Sequence, residues 1–157
     1  MKLLLRANSH RRIDGALEIA SSPDTPRRER WQWHLRTAPT GAPSSANTVS
    51  APLPLSDGSV MQLRLTIDPD AVGGNMASVR LTSPVRVQRS RDELVMLVVG
   101  RGAVLCDKAH LLGELDALVV AGDDPLELTA TQASAEPASL LLIRLHSADN
   151  GSVTWVP

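Results

Sequence analysis

Glu18, His34 and Arg36 place a carboxylate, an imidazole and a guanidinium on the polar positions of two short alternating segments. Residues 15–20 set Leu17 and Ile19 against Ala16 and Glu18. Residues 31–37 set Trp31, Trp33 and Leu35 against Gln32, His34 and Arg36. Both have the two-residue period of half-buried strands. If these strands are neighbours, Glu18, His34 and Arg36 line one side of a cleft with Trp33 behind them. An arginine there would clamp a small carboxylate through a two-pronged hydrogen bond. Two other readings stay open. His34 and Glu18 could act as acid and base in a metal-free isomerase or epimerase, provided both reach one pocket. Alternatively the face is solvated and carries an ordinary ion pair.

Other chemistry finds less to work with. The four histidines, His10, His34, His110 and His146, include no pair two residues apart, the strand spacing that aims two imidazoles at one metal ion. His34 shares its face with Arg36, which repels cations. A metal-free protein without a cofactor is the expectation. Cys106 ends an apolar run beside Asp107, a setting that raises a thiol pKa and blunts its reactivity. No Gly-x-Ser-x-Gly elbow and no phosphate-cradling loop occurs, and Gly100-Arg101-Gly102 reads as a hairpin turn between two strands. Asp123-Asp124 sits in a turn, where such pairs more often cap backbone amides than share a proton. No residue is assigned a catalytic role.

The elements that must position these groups are all strands. The organising stretch is Glu93–Leu128, in which short apolar runs alternate with turns at Gly100–Gly102, Asp107–Lys108, Gly113 and Ala121–Pro125. Leu94–Val99 is apolar at consecutive positions, so both its faces need cover and it belongs inside a sheet. Further strands are expected at 2–7, 59–67, 76–82, 85–88, 139–146 and 153–156, with Asn8–Asp14 a polar loop and Asp68–Asn75 a turn. Turn signals about every 8–12 residues, with no sustained helical period, read as all-β, a sandwich or jelly-roll barrel. The small, polar, proline-bearing run 38–50 reads as a connector.

Composition narrows the function classes. The chain has 157 residues, 43% of them hydrophobic, with no Phe, no Tyr and three Trp, so the core is aliphatic and aromatic ligand platforms are scarce. Net charge is −1 with signs interspersed, which argues against nucleic acid as a partner. The basic runs Arg27–Arg30 and Arg86, Arg89, Arg91 read as solvated loops. One cysteine suits a reducing compartment, and Met1–Arg6 is too short for a signal-peptide core or a membrane span. The expected setting is cytoplasmic, away from membranes.

The order of apolar strand, Gly-x-Gly turn, strand, polar turn, strand, Gly, acidic residue, apolar strand and Gly-Asp resembles the paired hairpins of cupins. Within that superfamily the chain resembles the HutD/Ves group. Leu17-Glu18-Ile19-Ala20 with Ser22-Pro23-Asp24 is similar to that group's R-E-I-A-x-S-P-D segment. Trp31–Arg36 is similar to its F-x-W-R-L-S strand, and Leu140–Leu145 to its closing strand. The group's Gly-rich loop is not retained: the corresponding Ser9–Gly15 reads Ser-His-Arg-Arg-Ile-Asp-Gly, and Leu17 stands where the group has Arg. The resemblance implies a cupin-like jelly-roll β-barrel, with a second, reduced β lobe, that binds a small molecule and acts as a regulator connected with amino-acid (histidine) catabolism. The expected organisation is N-terminal strands at 1–40 packing on the barrel, a linker at 41–50, and the barrel at 51–157. Glu18, Trp33, His34 and Arg36 are the candidate ligand-binding residues, and a small carboxylate metabolite the candidate ligand. An assembly module, pairing as a homodimer through an exposed apolar sheet face, is the structural alternative.

Overall fold

A computed structural model describes residues 3–22, 32–43, 45–149 and 153. Fourteen strands and no α-helix occur among them. They are β1 (Leu3–Leu5), β2 (Arg11–Ile13), β3 (Ala16–Ser21), β4 (Trp33–Ala38), β5 (Thr48–Pro54), β6 (Val60–Ile67), β7 (Val72–Leu81), β8 (Val85–Gln88), β9 (Glu93–Val99), β10 (Val104–Cys106), β11 (His110–Leu112), β12 (Ala117–Val120), β13 (Glu127–Gln132) and β14 (Ala138–Ser147). The all-β expectation is what the structure shows, and among the described residues no helix is long and apolar enough to cross a membrane.

Three sheets stack as layers. The central sheet runs β1-β12-β9-β14-β7, one flanking sheet β2-β3-β4-β6-β5, and the other β11-β10-β13-β8. Strand alternation then explains the doubly apolar runs. Leu94, Met96 and Val98 of β9 point into one core against Trp33, Leu35 and Leu65. Val95, Leu97 and Val99 point into the other against Val104, Cys106 and Leu128. Because each face of the central sheet has its own partner layer, no position of β9 beyond Glu93 can be polar. Both cores are filled by mainly aliphatic side chains that are almost fully buried among the described residues.

Several connections differ from the expected ones. The Gly100–Gly102 turn is a corner, not a hairpin. β9 pairs with β12 and β14, whereas β10 belongs to the smaller sheet with β11 and β13. Glycine is needed at 100 because a Cβ there would lie 2.3 Å from the Pro54 carbonyl oxygen. Asn8–Asp14 is not a loop throughout, since Arg11–Ile13 forms β2 and pairs with β3 around Asp14-Gly15. Both turn residues have positive φ (51° and 81°), the geometry that closes a two-residue hairpin with matching twist. β7 begins at Val72, inside the expected turn at 68–75. β5 starts at Thr48 inside the expected linker, and both β4 and β5 pair with β6, so residues on either side of 41–50 share one sheet. Trp31, Trp155, the Arg27–Arg30 run and the strand expected at 153–156, apart from buried Val153, lie outside the described residues.

Arg89 also departs from expectation. Arg86 and Arg91 are exposed as read, but Arg89 is buried and donates only to backbone carbonyls.

Candidate functional site

The flanking sheet β2-β3-β4-β6-β5 buries one face in the core and turns the other, polar face away from it. Which residues share that outer face follows from register. One row crosses the sheet as Arg11, Glu18, Arg36, Arg64 and Ser50. The next row is Ser21, His34, Thr66 and Thr48. Their neighbours Leu35, Leu63 and Leu65 point the other way and are fully buried, which fixes the orientation of the outer set.

Strict alternation along β3 would not produce this arrangement. Between Glu18 and Ala20 the register with β4 shifts by a bulge, with Glu18 opposite Arg36 but Ala20 opposite Leu35. Ile19 is the inserted residue, so Ile19 and Ala20 both enter the core, and Glu18 and Ser21, three apart in sequence, share the polar face. The Ser21 hydroxyl accordingly donates to Glu18 Oε1 at 3.3 Å.

Glu18, His34 and Arg36 therefore come together as the sequence suggested. Arg36 donates from Nε and Nη2 to Glu18 Oε2, each at 2.8 Å. Glu18 is buried, as is His34. Burial is the main reason the His34 pKa falls to about 4; the Arg36 charge lowers it further and Glu18 opposes both. His34 is thus neutral near neutrality. The folded protein holds its proton less tightly than the unfolded chain, whose histidine titrates near 6.5. Between pH 6.5 and about 4 the unfolded state binds more protons, so stability falls as the pH drops through that window. One proton gives a slope of at most about 1.4 kcal/mol per pH unit. In denaturant titrations at pH 4.5 and 7, His34→Gln should show a flatter pH dependence than the wild type; equal slopes would remove His34 as the source.

Trp33 does not join this group. It points into the core at 1% exposure, opposite in direction to His34, and cannot touch a ligand on the polar face. Its role is to anchor β4, whose entry is held where the Ser22 hydroxyl accepts from the Gln32 amide at 2.8 Å and the Trp33 amide at 3.3 Å.

Arg64 and Ser50 are the residues the sequence reading passed over. Arg64 lies opposite Arg36 on one side and Ser50 on the other. Its Nε is buried without a hydrogen-bond partner, and so is the Ser50 hydroxyl. A donor left in that state costs about 1–3 kcal/mol. Three guanidiniums, from Arg11, Arg36 and Arg64, thus share one row with a single carboxylate, and the far end of the row has two donors with nothing to bond.

Beside Glu18 a cleft of about 170 Å³ opens along the edge of β3, walled by His10, Arg11 and Ser21. The corner that forms its wall is pinned by Asp116. That carboxylate accepts from the amides of Ala7 and Gly113, both at 2.9 Å, and from Arg6 Nη1 at 2.7 Å. Burial acts to raise the Asp116 pKa, but these three donors outweigh it and hold the group below the usual carboxylate value. His10 Nε2 adds a bond to the Leu115 carbonyl at 2.6 Å. Among the described residues no three His, Cys, Asp or Glu side chains gather in a way that could hold a metal ion. Asp124 does what a turn aspartate commonly does, accepting from the Ala121 amide at 3.0 Å.

No protein-family model matches the chain, and no curated protein matches it in sequence. Solved structures match it in shape, among them two from Pseudomonas. PA5104 from Pseudomonas aeruginosa PAO1, a conserved protein of unknown function, is 17% identical with a TM-score of 0.69, over 94% of this chain and 99% of that one. HutD from Pseudomonas fluorescens SBW25 is 16% identical with a TM-score of 0.62, over the same shares. This chain has the fold of PA5104 and HutD along nearly its whole length.

Proposed function

We propose that the protein is a metal-independent binder of a small carboxylate, held on the polar face of the flanking sheet. The observation that carries this reading is the buried Arg64 Nε beside the buried Ser50 hydroxyl, both without a partner. A carboxylate that displaced the groups covering them would accept both hydrogen bonds and meet the positive field of Arg36 and Arg64. Glu18 keeps Arg36 fixed in position, and neutral His34 completes the wall without adding charge.

Binding is better supported than the isomerase alternative. His34 carries no second proton near pH 7 to act as a general acid, and Glu18 already accepts from Arg36 and Ser21. The resemblance to the HutD/Ves group supplies the setting, a cytoplasmic regulator connected with amino-acid (histidine) catabolism. Calorimetry with formate, acetate and urocanate tests the reading. The expected result is saturable binding of at least one acid, weakened by salt and absent for its amide. Folded protein that takes up none of them at millimolar concentration would count against it.

A further inference from the structure

A second, larger concavity lies elsewhere on the molecule. A groove of about 700 Å³ runs past the Ser78–Arg80 end of β7, between β5 and the turn that precedes β14. β7 is the last strand of the central sheet; among the described residues it pairs with β14 over Val72–Leu81 and with no strand on its other side. The neighbouring strand, β5, is likewise the last of its own sheet. No ladder joins these two strands. The sequence works against one here. In an extended strand the N–H and C=O of one residue point to the same edge. The Pro52 carbonyl accepts from the Ser78 hydroxyl at 3.4 Å and the Pro54 carbonyl from the Ser139 hydroxyl at 3.1 Å, so residues 52 and 54 are the ones aimed at the central sheet. Both are proline, and neither has an N–H to give. β5 therefore offers no N–H to β7 at 52 and 54, and among the described residues no strand pairs with the outer edge of β7.

The charge at this edge is specific. Arg80 and Arg101 both line the groove. Neither guanidinium forms an ion pair among the described residues, and Arg101 makes one bond, from Nε to the Leu55 carbonyl. Arg6, Arg36 and Arg144, by contrast, each hold a carboxylate. Glu136 also lines the groove, which leaves two guanidiniums against one carboxylate.

We propose that this groove docks an extended acidic segment of a partner protein, which adds to the β7 edge as a further strand and sets its carboxylates on Arg80 and Arg101. Main-chain pairing supplies affinity in such an arrangement and the flanking side chains supply choice. A free carboxylate would satisfy the arginines but leave the strand edge unused, so the two sources separate experimentally.

The test titrates the full chain into a fluorescein-labelled Glu-Val-Glu-Val-Glu-Val-Glu peptide and follows anisotropy. Saturable binding is expected, at least tenfold weaker for the double variant Arg80→Glu/Arg101→Glu, and absent for the peptide with Lys in place of Glu. N-methylation of alternate peptide amides should abolish it, and bound peptide should slow hydrogen exchange in β7 between Ser78 and Leu81. Equal affinity for the N-methylated peptide, or full displacement by free glutarate, would mean that the groove takes a carboxylate and not a strand, and would overturn the proposal. So would failure of the acidic peptide to bind at millimolar concentration. If the double variant lost its circular dichroism spectrum, the N-methylated peptide and the exchange pattern would still decide the matter on wild-type protein.

Discussion

Arg89→Ala should lower the stability of the chain by about 3–5 kcal/mol, a large share of the 5–15 kcal/mol that holds a typical domain together. Arginine has five N–H donors, and all five of Arg89 are spent on carbonyls. Nε bonds Pro125 at 3.2 Å; Nη1 bonds Ser90 at 3.0 Å and Glu93 at 3.1 Å; Nη2 bonds Gly122 at 2.8 Å and Asp124 at 2.5 Å. The side chain thereby ties the end of β8, the turn into β9 and the 121–126 turn after β12 into one unit. Alanine would strip five acceptors at once and leave a void at a site only 8% exposed. Lysine keeps the charge but has three donors on a flexible stem, so Arg89→Lys should lose an intermediate amount. Urea unfolding of the three proteins measures this. A loss below about 1 kcal/mol for alanine, the size of one ordinary hydrogen bond, would mean that the carbonyls find water and that Arg89 organises nothing.

Arg89 also shows where sequence reading stops. In one dimension Arg86, Arg89 and Arg91 form a loose basic cluster; only the approach of residues 121–126 separates the middle one from its exposed neighbours. The layer order was more legible, because a run such as Leu94–Val99 has one physical explanation, cover on both faces. Which strands pair was less so. Apolar runs interrupted by Gly100–Gly102 look the same whether the chain reverses within a sheet or crosses to the next. The Asp14-Gly15 hairpin did leave a local signal, a dipeptide suited to positive φ, and the polarity of Ser9–Arg12 masked it. β5 was hidden by its prolines, which are tolerated since β5 pairs on one side only, with β6.

The polar face was half legible for a related reason. Alternation placed Glu18, His34 and Arg36 correctly relative to one another, although along β3 the bulge at Ile19, not alternation, sets Ser21 beside Glu18. Trp33 followed Leu35 into the core, as the same alternation requires, so it stands behind the sheet. Arg64 was visible as a polar residue between Leu63 and Leu65. What no periodicity could give is that β4 lies between β3 and β6, so that residues 18, 36 and 64 meet in one row.

Two arginines in that row should answer mutation in opposite ways. Arg64→Met is expected to weaken carboxylate binding at least 100-fold, about 2.7 kcal/mol or more. Without ligand the variant should unfold at the same temperature as the wild type or a higher one. Methionine fills much of the arginine stem's volume and removes a buried N–H that has no acceptor. Arg36→Met should do the reverse to the empty protein. It takes both donors from Glu18 Oε2 and leaves a carboxylate at 7% exposure without its counter-ion, which destabilises the fold whether or not ligand is present. Arg64→Lys separates charge from shape: an ammonium keeps the field but cannot supply the Nε donor, so most of the loss should persist. Thermal melts and calorimetry on the three variants give both readouts. Should Arg64→Met unfold like Arg36→Met, Arg64 supports the sheet and the binding site lies elsewhere. Should it melt normally and bind carboxylate as the wild type does, the partnerless donors of Arg64 and Ser50 are not the anchor.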